Sequence, residues 1–95
     1  MGRKRAARAA RQLVRDREKL AVLTPGGSAE RPLAVPSAAV VEIRACATPC
    51  AQCEGVYRVV EHRAPSSGLR SVDVQCQRCR VKRTLWFRIT SDDPN

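Results

Sequence analysis

Residues 50–79, CAQCEGVYRVVEHRAPSSGLRSVDVQCQRC, contain two CxxC motifs that are separated by 22 residues. The segments 56–63 and 69–76 between them are rich in β-branched residues, which predicts two strands. Between these segments, APSSG at 64–68 has the composition of a turn. The pattern therefore predicts a β-hairpin that brings the second CxxC motif back beside the first.

The four thiols of these motifs, Cys50, Cys53, Cys76 and Cys79, have the spacing of metal ligands. Two residues between paired thiols allow a tight turn to direct both sulfur atoms at one ion, and the hairpin lets the second pair complete a tetrahedron. Four soft thiolates favour Zn²⁺ over hard cations, so we expect one Zn²⁺ per chain. An iron ion bound by four thiolates would use the same ligands and remains an alternative.

The N-terminal residues indicate a reducing compartment. The first two dozen residues are charged throughout and contain no apolar run long enough for a secretory signal or a membrane span. We therefore expect a cytoplasmic protein without a membrane partner. In that compartment paired CxxC motifs are better explained as metal ligands than as disulfides.

Two further residues could be considered as ligands. Cys46 lies four residues before Cys50, and we expect it to be a buried small apolar residue, with a spare thiol or a rival ligand as alternatives. His62 falls in the middle of a predicted strand and outside both motifs, so we expect an exposed or packed side chain there.

Further strands are predicted on both sides of the hairpin. At 83–90, RTLWFRIT places Leu85, Phe87 and Ile89 on one face and Trp86 on the other. At 38–45, AAVVEIRA also alternates apolar and polar residues, which predicts a first strand of the folded part. The resulting fold class is a small metal-stabilised β domain of three to four antiparallel strands.

Over roughly residues 40 to 90 these motifs resemble the zinc-ribbon fold group, in which two cysteine knuckles flank a hairpin and another strand follows. Gly55 matches the glycine that commonly ends the first knuckle of that group, whereas Arg80 and Val81 stand where the second knuckle often has a glycine. The resemblance implies a non-catalytic binding module, of the kind found in the transcription and translation machinery or as a part of enzymes.

The domain is preceded by two segments of different composition. Residues 1–23 are rich in helix formers and contain no proline, and apart from Gly2 no glycine, which predicts a basic amphipathic helix. Residues 24–37 contain three prolines and two glycines, which predicts a flexible linker. The zinc-ribbon-like domain then covers 38–91, and residues 92–95 form a polar, frayed end.

The charge distribution suggests a polyanion as partner. Of the net charge of +9, residues 1–23 contribute +6 and residues 50–95 contribute +3. Such asymmetry favours RNA or DNA, through counterion release and long-range attraction. The candidate phosphate-binding residues are Arg3, Lys4, Arg5, Arg8, Arg11, Arg15, Arg78, Arg80, Lys82 and Arg83, and Trp86 is a candidate for base stacking.

Two function classes follow from these features. The first is a non-catalytic zinc-binding module that contacts nucleic acid or a ribonucleoprotein through basic residues. The second is a protein–protein interaction module or accessory subunit that docks through the ribbon edge or the N-terminal helix. An enzyme is not expected, because four thiolates leave no open metal position, and no set of catalytic side chains or small-molecule site is indicated.

Overall fold

The computed structural model describes residues 2–90 and shows a small domain with an N-terminal helix and a four-stranded mixed sheet. In chain order the elements are α1 (Gly2–Leu23), β1 (Leu33–Val35), α2 (Ala38–Ala47), β2 (Tyr57–Ser66), β3 (Leu69–Cys76) and β4 (Lys82–Ile89). The predicted frayed end at 92–95 lies outside the described residues. None of the helices within that range has both the length and the apolar character needed to cross a membrane.

The three predicted antiparallel strands are present as β2, β3 and β4. β2 pairs with β3 and β3 pairs with β4, each antiparallel, in the spatial order β1-β4-β3-β2. A two-residue turn joins β2 to β3, and Gly68 in this turn has a φ of 78°. Glycine adopts this left-handed backbone conformation without the steric cost that other residues bear. The hairpin therefore forms as predicted, but its turn is shorter than the predicted 64–68, because β2 continues to Ser66.

Part of the segment predicted as a flexible linker pairs with the sheet. β1 lies parallel to β4, with Leu33 opposite Phe87, so the sheet is mixed and not wholly antiparallel as predicted. Earlier in the same segment the Gly26 carbonyl accepts a 2.8 Å hydrogen bond from the Trp86 N–H. Prolines lie on both sides of β1, so the composition of this segment does not predict a strand. They are tolerated because β1 is an edge strand.

The prediction of a strand at 38–45 is wrong, because this stretch forms the helix α2. Val41 and Ala45 lie one helical turn apart and are fully buried, whereas Ile43 is 68 % exposed. Over eight residues, the two-residue alternation of a strand cannot be distinguished from the 3.6-residue period of a helix when the central residues are β-branched. The sheet needs a covering layer for its apolar face, and α2 supplies this layer.

The hydrophobic core lies between α2 and one face of the sheet. The buried residues are Val35, Val41, Ala45, Cys50, Tyr57, Val72, Val74, Cys76, Leu85 and Phe87. Full burial of a side chain such as Phe87 contributes about 1.5–3 kcal/mol, and only a few side chains here are large. Two of the predicted metal ligands are thus part of the core, which ties the cysteine cluster to the folding of the sheet.

The opposite face of the sheet is polar and makes its own ion pairs. Arg63 pairs with both Glu61 and Asp73, and the Thr84 hydroxyl donates a 2.8 Å hydrogen bond to Asp73. Exposed ion pairs contribute little to stability. This polar face of the sheet therefore remains in contact with solvent.

The N-terminal helix α1 stands apart from the layered domain over most of its length. Every residue from Arg3 to Arg17 is exposed, and the described chain is 65 Å long in its largest dimension. The hydrogen bonds from α1 to the first knuckle and β4 come from its second half, through Val14, Arg17 and Glu18. The first half extends into solvent as a free helical arm.

Candidate metal centre

The hairpin brings the four cysteines to one end of the sheet. Cys50 and Cys53 lie in the turn between α2 and β2, which is closed by a β-bridge between Pro49 and Val56. Cys76 is the last residue of β3, and its strand partner is Tyr57, directly after the first turn. The two CxxC turns, called here the first and second knuckles, therefore face each other as the 22-residue spacing predicted.

The four sulfur atoms lie close enough to hold one metal ion. The Sγ atoms of Cys50 and Cys79 are 3.7 Å apart, those of Cys53 and Cys76 are 3.4 Å apart, and all four lie within 4.8 Å of one another. Ligands at about 2.3 Å from a tetrahedral ion would be about 3.8 Å apart. The donor set and its geometry thus fit a thiophilic metal ion.

The two knuckles have the same backbone conformation. In the first, the Cys50 N–H donates to the Gly55 carbonyl and the Glu54 N–H donates to the Cys50 carbonyl, at 2.9 and 2.8 Å. In the second, the Cys76 N–H donates to Val81 and the Arg80 N–H donates to Cys76, at 2.9 and 3.1 Å. The residue after the second cysteine has a left-handed φ in both, 62° at Glu54 and 68° at Arg80.

The departure of the second knuckle from the zinc-ribbon pattern leaves its turn unchanged, since Arg80 adopts the left-handed conformation without being glycine. Gly55 has a different role, which is close packing. A Cβ atom at this position would lie 3.0 Å from the Cys76 Sγ, 3.0 Å from the Arg78 Cβ and 3.2 Å from the Cys53 Sγ. A side chain at position 55 would therefore press on the second knuckle.

Backbone N–H groups point at the sulfur atoms and affect their ionisation. Burial opposes ionisation of Cys76, but the N–H groups of Cys79 and Arg78 and the Cys53 side chain outweigh it and lower the pKa of Cys76 to about 6. Burial also opposes ionisation of Cys50, and there too the backbone N–H groups of Cys53 and Gln52 outweigh it and lower the pKa. These donors stabilise the thiolate form that a metal ion requires.

The fourth thiol is affected in the opposite direction. The Val81 N–H favours the Cys79 thiolate, but desolvation and the sulfur atoms of Cys53, Cys50 and Cys76 together raise the pKa of Cys79 to about 12. Each thiolate makes the ionisation of its neighbour less favourable. A cation between the four sulfur atoms removes this conflict, because it compensates the negative charge of all of them.

The two other residues considered as ligands lie outside the cluster. Among residues 2–90, the metal-ligand group contains the four knuckle cysteines and neither Cys46 nor His62. The prediction that Cys46 is buried is wrong, since it is exposed on α2, on the side turned away from the core. The His62 ring is partly buried, and its Nδ1 lies 2.9 Å from the Glu42 carboxylate.

The structure places the candidate phosphate-binding residues of the N-terminal segment along α1, all but Arg15 on its free arm. Each of them is exposed: Arg3, Lys4, Arg5, Arg8, Arg11 and Arg15. With about 100° of rotation per residue, Lys4, Arg8, Arg11, Arg15 and Lys19 recur once per turn on one side of the helix. These five residues are called here the basic stripe.

The candidates near the second knuckle occupy different environments. Arg78, Arg80 and Lys82 are exposed, and one Arg78 guanidinium N–H donates to the Cys53 carbonyl at 3.3 Å. Arg83 lies on the inner face of the sheet with only 8 % of its side chain exposed, and its guanidinium pairs with Glu18 at 2.6 Å. Trp86 is half-buried. Arg83 is therefore committed to a contact within the protein.

A set of contacts that the sequence did not predict connects the first knuckle to α1. The Gln52 side chain donates to the Val14 carbonyl and to the Glu18 carboxylate at 3.0 and 2.7 Å. The Arg83 Nε donates to the Tyr57 hydroxyl at 3.2 Å. Burial raises the pKa of Tyr57. One weak indication is present in the sequence, because Glu18 is an acidic residue in a strongly basic helix. The residues around Glu18 do not indicate a contact with Gln52.

Comparisons with known proteins leave the family open. No protein-family model matches the sequence, and no curated protein or solved structure matches it significantly. The function must therefore be inferred from the residues of this chain and their arrangement.

Proposed function

We propose that the chain is a zinc-ribbon-like, non-catalytic module that binds one structural Zn²⁺ through Cys50, Cys53, Cys76 and Cys79 and presents α1 to nucleic acid. The proposal rests above all on the convergence of the four sulfur atoms within 4.8 Å of one another. The exposure of the basic stripe on a helix whose second half contacts the first knuckle supports the second part.

Zinc is favoured by the donor set. Four thiolates suit Zn²⁺ in a closed tetrahedral shell, which leaves no position for a reactive water and so argues against catalysis. When bound, the ion would crosslink the two knuckles and compensate the negative charge of their thiolates. Native mass spectrometry of the purified chain, with and without chelator, tests this part. One zinc per chain supports it, whereas iron or no metal contradicts it.

Nucleic acid is favoured by the charge and shape of α1. The 22 residues of α1 form a rod of about 33 Å, and its first half carries basic side chains with no acidic residue before Asp16. A regular row of cations attracts a regular row of phosphates through counterion release. Contacts of this kind would position the module without reading the base sequence.

The test of nucleic-acid binding is a salt titration with matched variants. Fluorescence anisotropy with labelled duplex DNA and duplex RNA should give affinities that fall with salt, with a slope of about −4.5 if five phosphates are contacted. Substitution of Arg8, Arg11 and Arg15 by Gln should weaken binding and reduce the slope by about 2.7.

The control for this titration removes the same charge from other elements. Substitution of Arg44, Arg58 and Arg88 by Gln lowers the net charge equally but leaves α1 intact, and all three residues are exposed. This variant should keep the slope of the unmodified chain. Equal losses in the two triple variants, or the absence of binding at low salt, would contradict the proposal.

A protein partner is the second candidate, because α1 also exposes apolar side chains. Leu13 is 48 % exposed and Leu20 is 67 % exposed. A helix with such residues can lie in an apolar groove of a larger assembly. Affinity capture after nuclease treatment tests this alternative: a stoichiometric protein that is lost when Leu13 and Leu20 are replaced by Ser would favour it.

A further inference from the structure

The second half of α1 is held by side chains that converge on the first knuckle. The Glu18 carboxylate accepts from the Gln52 amide at 2.7 Å and from the Arg83 guanidinium at 2.6 Å. In the reverse direction, the Arg17 guanidinium donates to the Gln52 carbonyl at 2.6 Å. The set formed by Gln52, Glu18, Arg83 and Arg17 is called here the clamp.

The clamp is attached to the metal ligands through the knuckle backbone. Gln52 lies between Cys50 and Cys53, and its own N–H points at the Cys50 Sγ at 3.4 Å. The neighbouring Ala51 N–H donates to the Tyr57 hydroxyl at 3.0 Å, and this hydroxyl also accepts from Arg83. The backbone of the first knuckle therefore determines where the Gln52 amide and carbonyl meet α1.

The second knuckle provides an internal contrast. It has the same backbone conformation, but its central residues Gln77 and Arg78 do not reach α1. Within the described part of the chain, the Gln77 side chain makes no hydrogen bond, and Arg78 turns back to Cys53. Among residues 2–90, the hydrogen bonds between a knuckle and α1 come from the first knuckle.

We propose that Gln52, Glu18 and Arg83 are positioning residues, which make the presentation of α1 depend on metal in the first knuckle. This inference rests on the proposed function, since the benefit of a fixed α1 is tighter binding of nucleic acid. With the knuckle closed, the clamp orders the second half of α1 and aims the basic stripe in one direction. With the knuckle open, α1 keeps its charge but loses its fixed orientation.

The coupling between metal binding and nucleic-acid binding must be reciprocal. If metal raises the affinity for nucleic acid by some factor, nucleic acid raises the affinity for metal by the same factor. A helix that is already ordered binds without the cost of being immobilised. Because the charges themselves are unchanged, we expect a modest coupling of about tenfold, within the usual range for linked sites.

The experiment compares Gln52→Ala with Gln77→Ala in the full, zinc-loaded chain. Both variants remove a glutamine side chain from inside a CxxC motif and keep all four thiols. Hydrogen exchange of the α1 amides should become faster over residues 14–23 in Gln52→Ala and remain unchanged in Gln77→Ala. Glu18→Gln, which keeps the shape of the side chain but removes its charge, should speed exchange over the same residues by less than Gln52→Ala, because the Gln52 amide keeps its hydrogen bond to the Val14 carbonyl.

Binding measurements complete the test. Gln52→Ala should bind duplex DNA about tenfold more weakly than the unmodified chain with the same salt slope, since the phosphate contacts are kept. In chelator competition, duplex DNA should raise the zinc affinity of the unmodified chain and of Gln77→Ala by about the same factor. This effect should be lost in Gln52→Ala.

The outcomes separate the two proposals. If the unmodified chain binds nucleic acid and Gln52→Ala is unchanged in hydrogen exchange and affinity, the proposed positioning role is wrong and the proposed function stands. If the chain binds no nucleic acid, faster exchange in Gln52→Ala alone still supports the positioning role, and equal exchange in both variants overturns it. Loss of zinc from Gln52→Ala would also overturn it, because the residue would then act on the metal site itself.

Discussion

The two knuckles share one backbone conformation and differ in what their central residues contact. In both, the backbone N–H and carbonyl of the first cysteine make the same two hydrogen bonds. The residue after the second cysteine has a left-handed φ in both. In the first knuckle Gln52 reaches α1, whereas in the second Arg78 reaches the other knuckle. The two turns thus share their backbone hydrogen bonds, and the two residues between the cysteines of each turn make different contacts.

The largest effect is expected from loss of a ligand, which should abolish both knuckles together. Cys53→Ser or Cys76→Ser removes one of four thiolates, and structural zinc contributes on the order of 10–16 kcal/mol in small domains. We expect these variants to lose zinc and to unfold, as measured by metal content and circular dichroism. Cys46→Ser is the control, because this exposed thiol is outside the cluster. A folded, zinc-free Cys76→Ser variant would contradict metal-dependent folding.

A smaller effect is expected at the contact between the knuckles. Gly55→Ala would place its Cβ 3.0 Å from the Cys76 Sγ and the Arg78 Cβ, so the second knuckle must shift. Overpacking of this kind typically costs about 1–3 kcal/mol. Zinc affinity by chelator competition should fall accordingly. An unchanged affinity would show that the knuckles can move apart without harm.

The equivalence of the two turns can be tested at Glu54 and Arg80, which have φ values of 62° and 68°. Glycine avoids the left-handed cost of about 1–2 kcal/mol but is more flexible when unfolded, so each glycine variant should be more stable than its alanine counterpart by about 0.5–1 kcal/mol. Thermal unfolding of the zinc-loaded variants measures the difference. Comparison of Gly with Ala at the same position cancels the loss of the charged side chain. Unequal differences at the two positions would show that the turns are not equivalent.

The smallest effect concerns pH at the clamp. Burial opposes ionisation of Glu18, but hydrogen bonds from Gln52 and Arg83 and the charge of Arg83 outweigh it and lower the pKa of Glu18. A depressed carboxylate pKa stabilises the folded state above the unfolded pKa, and this contribution is lost as the pH falls through the folded pKa. Because Glu18 is 40 % exposed, the effect should be well below that of a buried pair.

The matched variant for this pH effect is Glu18→Gln. Its stability deficit should be constant near neutral pH and shrink on acidification through the folded pKa of Glu18, as measured by denaturant unfolding at a series of pH values. A deficit that does not change with pH would mean that the charge of Glu18 plays no part in the clamp.

The sequence predicted the parts of the fold that depend on short-range patterns. The hairpin, β4 and the pairing of the knuckles follow from the CxxC spacing and from alternation such as Leu85 and Phe87 against Trp86. The errors occur where local patterns are ambiguous. AAVVEIRA fits a strand and a helix equally well over eight residues, and the prolines around β1 conceal an edge strand.

By itself, the sequence of this protein determined the four-cysteine cluster, the hairpin between its halves and the basic character of α1, because each is encoded in the spacing or composition of neighbouring residues. The tertiary structure decided that α2 covers the sheet, that Arg83 turns inward to Glu18, and that Gln52 holds α1. Gln52 and Glu18 are 34 residues apart in the chain. A contact over such a distance leaves no local pattern to read, since it arises only when packing brings the two segments together.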